Sequence, residues 1–279
     1  MRHWLILLLL SGSVAADPAK FHLSKSIDTW VELAPHKYEI HLRTVAAQKQ
    51  DPKSLELEVS LGKLSQRLPL DTVADEANAF SRGEVVVEDF DFDGVKDIGV
   101  PSSVGYGGVN IYYTVFRLQA KSGKFVPLPE TTPICNPEFD QVNHILITNS
   151  RSGPCWYGSD YKFLQGRPWL YRRRNMALLD GLLVQPDVAY LFETLDPKGK
   201  VIDAQLSSDS IKISPVKGSL ESTVMTFSSP SARGLSGRFN QGEVVQLDRW
   251  QEWNGREYCR ARSGARTGWL LMDKETVRR

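Results

Sequence analysis

Helical periodicity is what this 279-residue chain lacks most. Only Asp71–Phe80 offers room for one short helical turn. Elsewhere apolar residues do not recur at three- and four-residue spacing, which excludes all-α and α/β folds. Charge of one sign is lacking as well. Lys and Arg number 34 and Asp and Glu 33, a formal net charge of +1, without the basic surplus that nucleic-acid binding needs. No G-x-S-x-G, H-E-x-x-H or P-loop occurs and no residue stands out as a nucleophile, so the chain does not read as an enzyme. His22, His36, His41 and His144 are scattered and form no ligand pattern.

Long hydrophobic runs are confined to the N-terminus. Met1-Arg2-His3 is a short positive segment, Trp4–Leu10 ("WLILLLL") an apolar one, and "SGSVAAD" a small-residue cleavage site, most simply after Ala16. The run is too short to span a bilayer. Residues 1–16 are therefore expected to be a signal peptide, and the mature protein an exported, periplasmic one with no membrane span.

Cysteine is scarce, with three in the chain. Oxidising compartments favour disulfides. Cys135 and Cys155 share one polar, Pro/Gly-rich region and form the expected pair; the alternative is three buried free thiols. Cys259 sits at an alternating position in "REYCRAR", where a small buried side chain fits. The cysteines and His144 do not have zinc-site spacing.

What the chain has in quantity is strand pattern. "YEIHLRTVA" (Tyr38–Ala46) and "SLELEVSLG" (Ser54–Gly62) alternate apolar and polar residues. "GEVVVEDFD" and "VNIYYTVFRLQ" (Val109–Gln119) are rich in β-branched or aromatic residues. "HILITNSR", "DYKFLQGRPWLYRRRN" and "VAYLFETLDPKGKVIDAQLS" continue the series, with turns at Gly166 and Pro197-Lys198-Gly199. "YRRRN" (Arg172–Arg174) reads as a solvated strand end or a grip for an acidic partner. The whole predicts an all-β protein.

Composition turns small and polar near Lys212–Ser222, which places a boundary there, with one unit over 17–215 and another over 220–279. The second unit has a hairpin signal at Asn254-Gly255. Pro230, Gly237, Gly242-Glu243-Val244-Val245, Tyr258 and Gly268-Trp269-Leu270 fall in an order that resembles bacterial SH3-like domains. The resemblance implies a C-terminal SH3-like barrel that binds peptide or cell-wall glycopeptide, or only packs. Trp250 and Trp253 there offer either an aromatic binding surface or hairpin and core packing.

The densest chemistry is "DFDFDGVKD". Its acidic residues fall at the first, third, fifth and ninth positions, with Gly94 at the sixth. Calcium takes six to eight oxygen ligands in loose geometry. Asp89, Asp91, Asp93 and Asp97, with the Val95 carbonyl, are the candidate ligands of one Ca²⁺. An EF-hand would carry Glu at the twelfth position, where this chain has Val100, so the site is expected between strands. The alternative is a solvated acidic turn, or one satisfied by lysines such as Lys96.

From Glu84 to Tyr171 the order "DFDFDGVKDIGV", "YGGVNIYY", "SGKF", "CNPEFDQ", "ILITNSRSG", "GRPWLY" resembles the FG-GAP type of calcium-loop repeat. More narrowly, it resembles a family of exported bacterial proteins that includes periplasmic immunity proteins against peptidoglycan-cleaving toxins. The resemblance implies a propeller-like or sandwich β-domain with one calcium loop. It also implies a protein toxin as partner, blocked by a loop that enters its cleft. Ser102–Asn110 is the candidate loop, with Tyr106, Gly107, Gly108 and Asn110 as contact residues; the alternative is a tight connection with Tyr106 packed on the domain. A second functional expectation is an envelope module that binds peptidoglycan or a peptide and keeps calcium as a structural ion.

Overall fold

The computed structural model describes residues 18–22, 26–34, 38–46, 55–70, 83–128, 134–177, 179, 181–184 and 188–272. The expected signal peptide and its cleavage site at Ala16, the short turn over Asp71–Phe80, and His36 lie outside the described residues. Within them the chain is all-β. There is no α-helix, and one 3-10 turn covers Tyr106–Gly108.

Strand β1 (Ala19–His22) precedes a four-stranded meander of β2 (Asp28–Ala34), β3 (Tyr38–Ala46), β4 (Leu55–Leu61) and β5 (Leu64–Leu70). The second sheet holds β6 (Glu84–Glu88), β7 (Asp97–Gly105), β8 (Asn110–Gln119), β9 (Lys124–Pro127) and the short β10 (Ile134–Cys135). Its order is β1-β6-β7-β8-β10, with β9 also on β8. The third sheet begins as a meander of β11 (Glu138–Asp140), β12 (Ile145–Ser152), β13 (Cys155–Leu164), β14 (Arg167–Ala177), β15 (Ala189–Leu195) and β16 (Val201–Ser207). It continues through β17 (Val216–Ser219), β18 (Val224–Phe227), β19 (Leu235–Phe239), β20 (Val244–Trp253), β21 (Arg256–Ser263) and β22 (Arg266–Met272).

The sheets stack as a sandwich with the second in the middle. Strand side chains alternate between faces, so "VVV" in β6 serves both. Val85 and Val87, with Ile98, Val100 and Phe116, pack on Val31, Leu33, Ile40, Leu42, Leu57 and Val59 of the first sheet. Val86, Phe90 and Val115 pack the other way, with Leu146 and Tyr161 of the third sheet. Burial on both faces explains why β6 is continuously apolar while β3 and β4 alternate. The outer face of the first sheet carries ion pairs, Arg43–Glu58 at 2.5 Å and Arg67–Glu56 at 3.3 Å.

No sheet closes into a barrel among the described residues. The C-terminal strands, expected as a closed SH3-like barrel, form an open run in the order β20-β21-β22-β18-β19. They are joined edge-on to the preceding meander through Gln205 of β16 and Arg249 of β20. One hydrophobic core crosses residue 215, uniting Leu191 and Leu206 with Leu247, Trp250, Cys259 and Leu270. The hairpin turn at Asn254-Gly255 has both residues at positive φ, 50° and 70°, as a two-residue hairpin requires. Trp250 is buried in that core, whereas Trp253 is 44% exposed.

Two local expectations are corrected. Cys135 and Cys155 are separate buried thiols, not a disulfide. Cys135 stands on β10 in the second sheet, opposite Tyr112, while Cys155 opens β13 in the third with its Sγ on Met176 Sδ at 2.8 Å. The arginine run is neither a solvated strand end nor a free grip. Arg172 and Arg174 both bond Asp160, at 2.7 and 3.1 Å, and Arg173 bonds Glu193. Asp160 is fully buried and Arg174 nearly so. Gly158 makes this possible, because a Cβ there would overlap the Arg174 guanidinium.

Gly99 plays the same part nearer the acidic loop. A Cβ at Gly99 would lie 2.8 Å from Cζ of Phe90, a ring with no exposure. Gly99→Ala is expected to cost about 1–3 kcal/mol through overpacking. Gly237→Ala, whose nearest neighbour would be Thr226 Oγ1 at 3.4 Å, is the control. Chemical denaturation of the two variants checks this, and equal midpoints would refute it.

Candidate functional site

The acidic loop joins β6 to β7. Phe92 and Gly94 both take positive φ, 58° and 87°, and these turn the chain tightly enough to gather its carboxylates. Asp89 accepts the Asp93 and Gly94 N–H groups at 3.0 and 2.8 Å. Asp97 Oδ2 accepts the Phe90 N–H at 3.0 Å. Asp89, Asp91 and Asp97 each offer an oxygen within 4.8 Å of the others, an arrangement that can hold a metal ion. Asp93 is outside that trio. It is exposed, and its Oδ1 accepts the Val95 N–H at 2.8 Å.

The trio is poorly compensated. Arg117 Nη1 reaches Asp91 Oδ2 at 3.4 Å and also donates to the Gly166 carbonyl at 3.1 Å. Asp91 Oδ1 is buried with no hydrogen-bond partner. Burial, then repulsion from Asp93 and Asp89, pushes the Asp91 carboxyl up to about 6. Burial, then the charge of Asp91, pushes Asp97 up to about 9. Asp89 is raised too, chiefly by burial. A cation among them would reverse these directions.

The same loop touches all three sheets. Lys96 N–H donates to the Leu33 carbonyl of the first sheet at 2.8 Å. Phe90 meets Phe139 of β11 edge-on at 4.9 Å, and Phe92 stacks at 5.3 Å on His144 in the turn from β11 to β12, both on the side of the third sheet. Gln141 Nε2 donates to Glu88 Oε1 at 3.1 Å.

The candidate partner loop lies elsewhere. Nine-residue β7 separates Asp97 from Gly105, a distance of about 26 Å along an extended strand. The acidic loop therefore does not reach Ser102–Asn110. What holds Ser102–Asn110 is the tip of the β12–β13 hairpin. Asn110 Nδ2 donates to the Arg151 carbonyl at 2.9 Å, and the Arg151 N–H donates to Asn110 Oδ1 at 2.7 Å. Tyr106 Oη donates to the Gly153 carbonyl at 2.7 Å. Asn136 Nδ2 donates to the carbonyls of Val109 and Asn149, at 2.9 and 3.1 Å. Tyr106, Gly107 and Gly108 all have positive φ, a conformation that a tyrosine keeps only where its surroundings enforce it.

Tyr106 nonetheless remains 47% exposed. The Arg151 guanidinium lies 5.7 Å from the Tyr106 ring centre and 6.0 Å from that of Trp156. Tyr106, Arg151 and Trp156 thus form one ridge across two hairpin tips. Sequence reasoning singled out Tyr106, Gly107, Gly108 and Asn110 but missed Arg151 and Trp156. "RSG" signals a turn, but no local pattern says which other tip that turn will meet. Arg117 was missed for the same reason.

In a chelator, Asp97 should make the protein less stable as pH rises. Its folded value near 9 stands above the ordinary 3.8. Its favourable contribution is therefore complete below about pH 4 and lost as pH climbs toward 9. Asp97→Asn keeps an acceptor for Phe90 and removes the titration. Its melting temperature in chelator should exceed that of the parent by a margin that widens from pH 5 to 9. A constant margin would show that Asp97 does not titrate in this way.

No family model matches the chain. No curated protein matches it either. Among solved structures, it is similar to one described as a Xanthomonas Type IV Secretion System related protein. The two are 18% identical over 66% of this chain and 96% of that one, with a TM-score of 0.42.

Proposed function

We propose that this protein is an exported, periplasmic inhibitor, an immunity protein that blocks a cell-wall-degrading bacterial toxin by occluding its active cleft. The observation that carries the reading is the ridge of Tyr106, Arg151 and Trp156. Tyr, Trp and Arg are the residue types enriched at the hot spots of protein interfaces. Here they sit on tips already tied together by the Asn110–Arg151 pair of hydrogen bonds and the Tyr106–Gly153 bond. A loop ordered before binding loses little entropy on entering a cleft. Gly107 and Gly108 keep the backbone beside Tyr106 slender enough to follow the ring inward.

The acidic loop acts as a staple of the fold, apart from the contact ridge. The oxygen-only donor set of Asp89, Asp91 and Asp97 suits a hard cation, and its loose spacing suits Ca²⁺. The unpartnered Asp91 Oδ1 supports the same assignment. Asp93 and the Val95 carbonyl would complete the shell through a local shift of the loop. Bound calcium neutralises carboxylates that otherwise resist ionisation where the sheets meet.

Calcium at a hundred times its dissociation constant should add about 2.7 kcal/mol, or roughly 5–10 °C in melting temperature for a chain of this size. Asp91→Ala should abolish the calcium-dependent part. An unchanged melting temperature with and without calcium would remove the ion from the account.

Inhibition is tested by mixing the pure protein with secreted peptidoglycan hydrolases and following peptidoglycan solubilisation. Tyr106→Ala and Arg151→Ala should each weaken inhibition by at least about tenfold, with melting temperatures close to the parent's. Chelation at a temperature well below melting should leave inhibition nearly intact, because the metal loop lies at the far end of β7. Retention on insoluble peptidoglycan without any toxin effect would instead favour the envelope-binding module.

A further inference from the structure

The second sheet stops short of the third. Its order ends at β10, whereas the third sheet runs on from β11 through β22. Leu146 of β12 and Tyr161 of β13 are cross-strand neighbours and pack under the second sheet. Side chains on one face of a strand recur at every second residue. Thr148 and Ser150 therefore continue that face along β12, and Ser159 and Tyr157 continue it along β13. Thr148 stands opposite Ser159, and Ser150 opposite Tyr157. Arg173 of β14 is the next neighbour of Ser159, with Asn175 two residues on. The face that is apolar under the second sheet thus turns polar as it emerges past the edge.

A cavity of about 280 Å³ opens there, at the lower end of the size range of ligand clefts. Tyr112 and Cys135, paired across β8 and β10, line it from the second sheet. Ser150, Tyr157, Ser159 and Asn175 line it from the third.

These walls differ from the solvated face of the first sheet. That face carries opposite charges, Arg43 with Glu58 and Arg67 with Glu56. The cleft carries hydroxyl, amide and phenol groups instead, and Arg173, its one charged residue, is already paired with Glu193. Thr148 Oγ1 is spent on the Ser159 carbonyl at 2.6 Å. Ser150, Tyr157 and Asn175 are half-buried, and their side chains have no hydrogen-bond partner among the described residues. Half-buried donors and acceptors of this kind bond water or a ligand.

The chemistry of the walls selects the ligand. An anion would meet an arginine that is already compensated. An apolar ligand would leave the hydroxyl and amide groups unsatisfied, at a cost for each. A neutral ring bearing hydroxyl groups suits both parts of the wall, the polar side chains through its rim and the tyrosines through its apolar face. Tyrosine beside serine and asparagine is also the mixture with which binding loops combine rigid aromatic area and adaptable hydrogen bonding.

We propose that the cleft between the second-sheet edge and the β12–β14 face is a binding site for a neutral saccharide, held by Ser150, Tyr157 and Asn175. The site does not depend on the inhibitor reading. Arg151 and Trp156 alternate with Ser150 and Tyr157 along β12 and β13, so the ridge and the cleft use opposite faces of one hairpin.

The test titrates cellobiose and chitobiose into the isotope-labelled full chain and follows backbone amide shifts by NMR. Shifts at Ser150, Tyr157 and Asn175 should saturate below about 50 mM sugar, and this arm needs no variant. Either disaccharide supports the site. Tighter binding of chitobiose identifies an N-acetylated glycan as the source, and tighter binding of cellobiose a plain one. Tyr157→Phe and Asn175→Leu should each weaken binding at least about threefold, as expected for one lost hydrogen bond, with melting temperatures close to the parent's. The proposal fails if neither sugar saturates by that concentration, or if the shifts map to the Tyr106 ridge or to Trp253. It also fails if both variants bind as the parent does, or if trialanine shifts the same amides at lower concentration than either sugar.

Discussion

Asp89, Asp91 and Asp97 bring carboxylate oxygens within 4.8 Å of one another where three sheets meet. At that spacing two unit charges repel by about 3–4 kcal/mol at an effective dielectric near 20. Three such pairs approach the entire stability of an ordinary domain, about 5–15 kcal/mol. Arg117 alone cannot offset this, since it reaches one carboxylate at 3.4 Å and shares its donor with a carbonyl. Protons or a cation must therefore supply the balance. Because Phe90, Phe92, Glu88 and Lys96 of the same segment contact the first and third sheets, whatever balances the carboxylates also sets how the sheets are held together.

The same geometry separates support from contact. β7 carries the acidic loop at one end and the Tyr106 tip at the other. The tip is ordered by its own clamp, in which the Asn110 side chain replaces a backbone pairing between two hairpins. Asn110 is 5% exposed. A buried amide that both donates and accepts fixes register between the tips in a way an apolar contact could not. Tyr106 can then hold a left-handed backbone conformation while leaving half its ring in solvent.

Local pattern carried much of the fold. β3 occupies Tyr38–Ala46, the segment that alternates, and β8 begins within one residue of the aromatic run at Val109. Asn254-Gly255 turned as its chemistry demands. The acidic spacing was legible as well, but only in part. Four aspartates fall at the first, third, fifth and ninth positions of the loop, yet three converge, because Asp93 accepts the Val95 N–H in its own turn. What was not legible depends on sheets meeting. Cys135 and Cys155 are close in sequence yet belong to different sheets, and Arg151 joins Tyr106 only once two hairpins are stacked. Periodicity reports which face of a strand is buried, not what buries it.

The C-terminal third shows the same limit at larger scale. Its glycines, Trp269 and hairpin turn specify a compact set of five strands, and on that pattern a closed unit is the natural expectation. Closure, however, needs the first and last edges to find each other. In this chain the apolar faces of β15 and β16 compete for the same core. Leu191, Ala204 and Leu206 fill space beside Leu247, Trp250 and Cys259, so β20 gives its edge to β17 and β16 instead. The sharing is incomplete, since β16 follows β20 for one residue pair before the strands diverge.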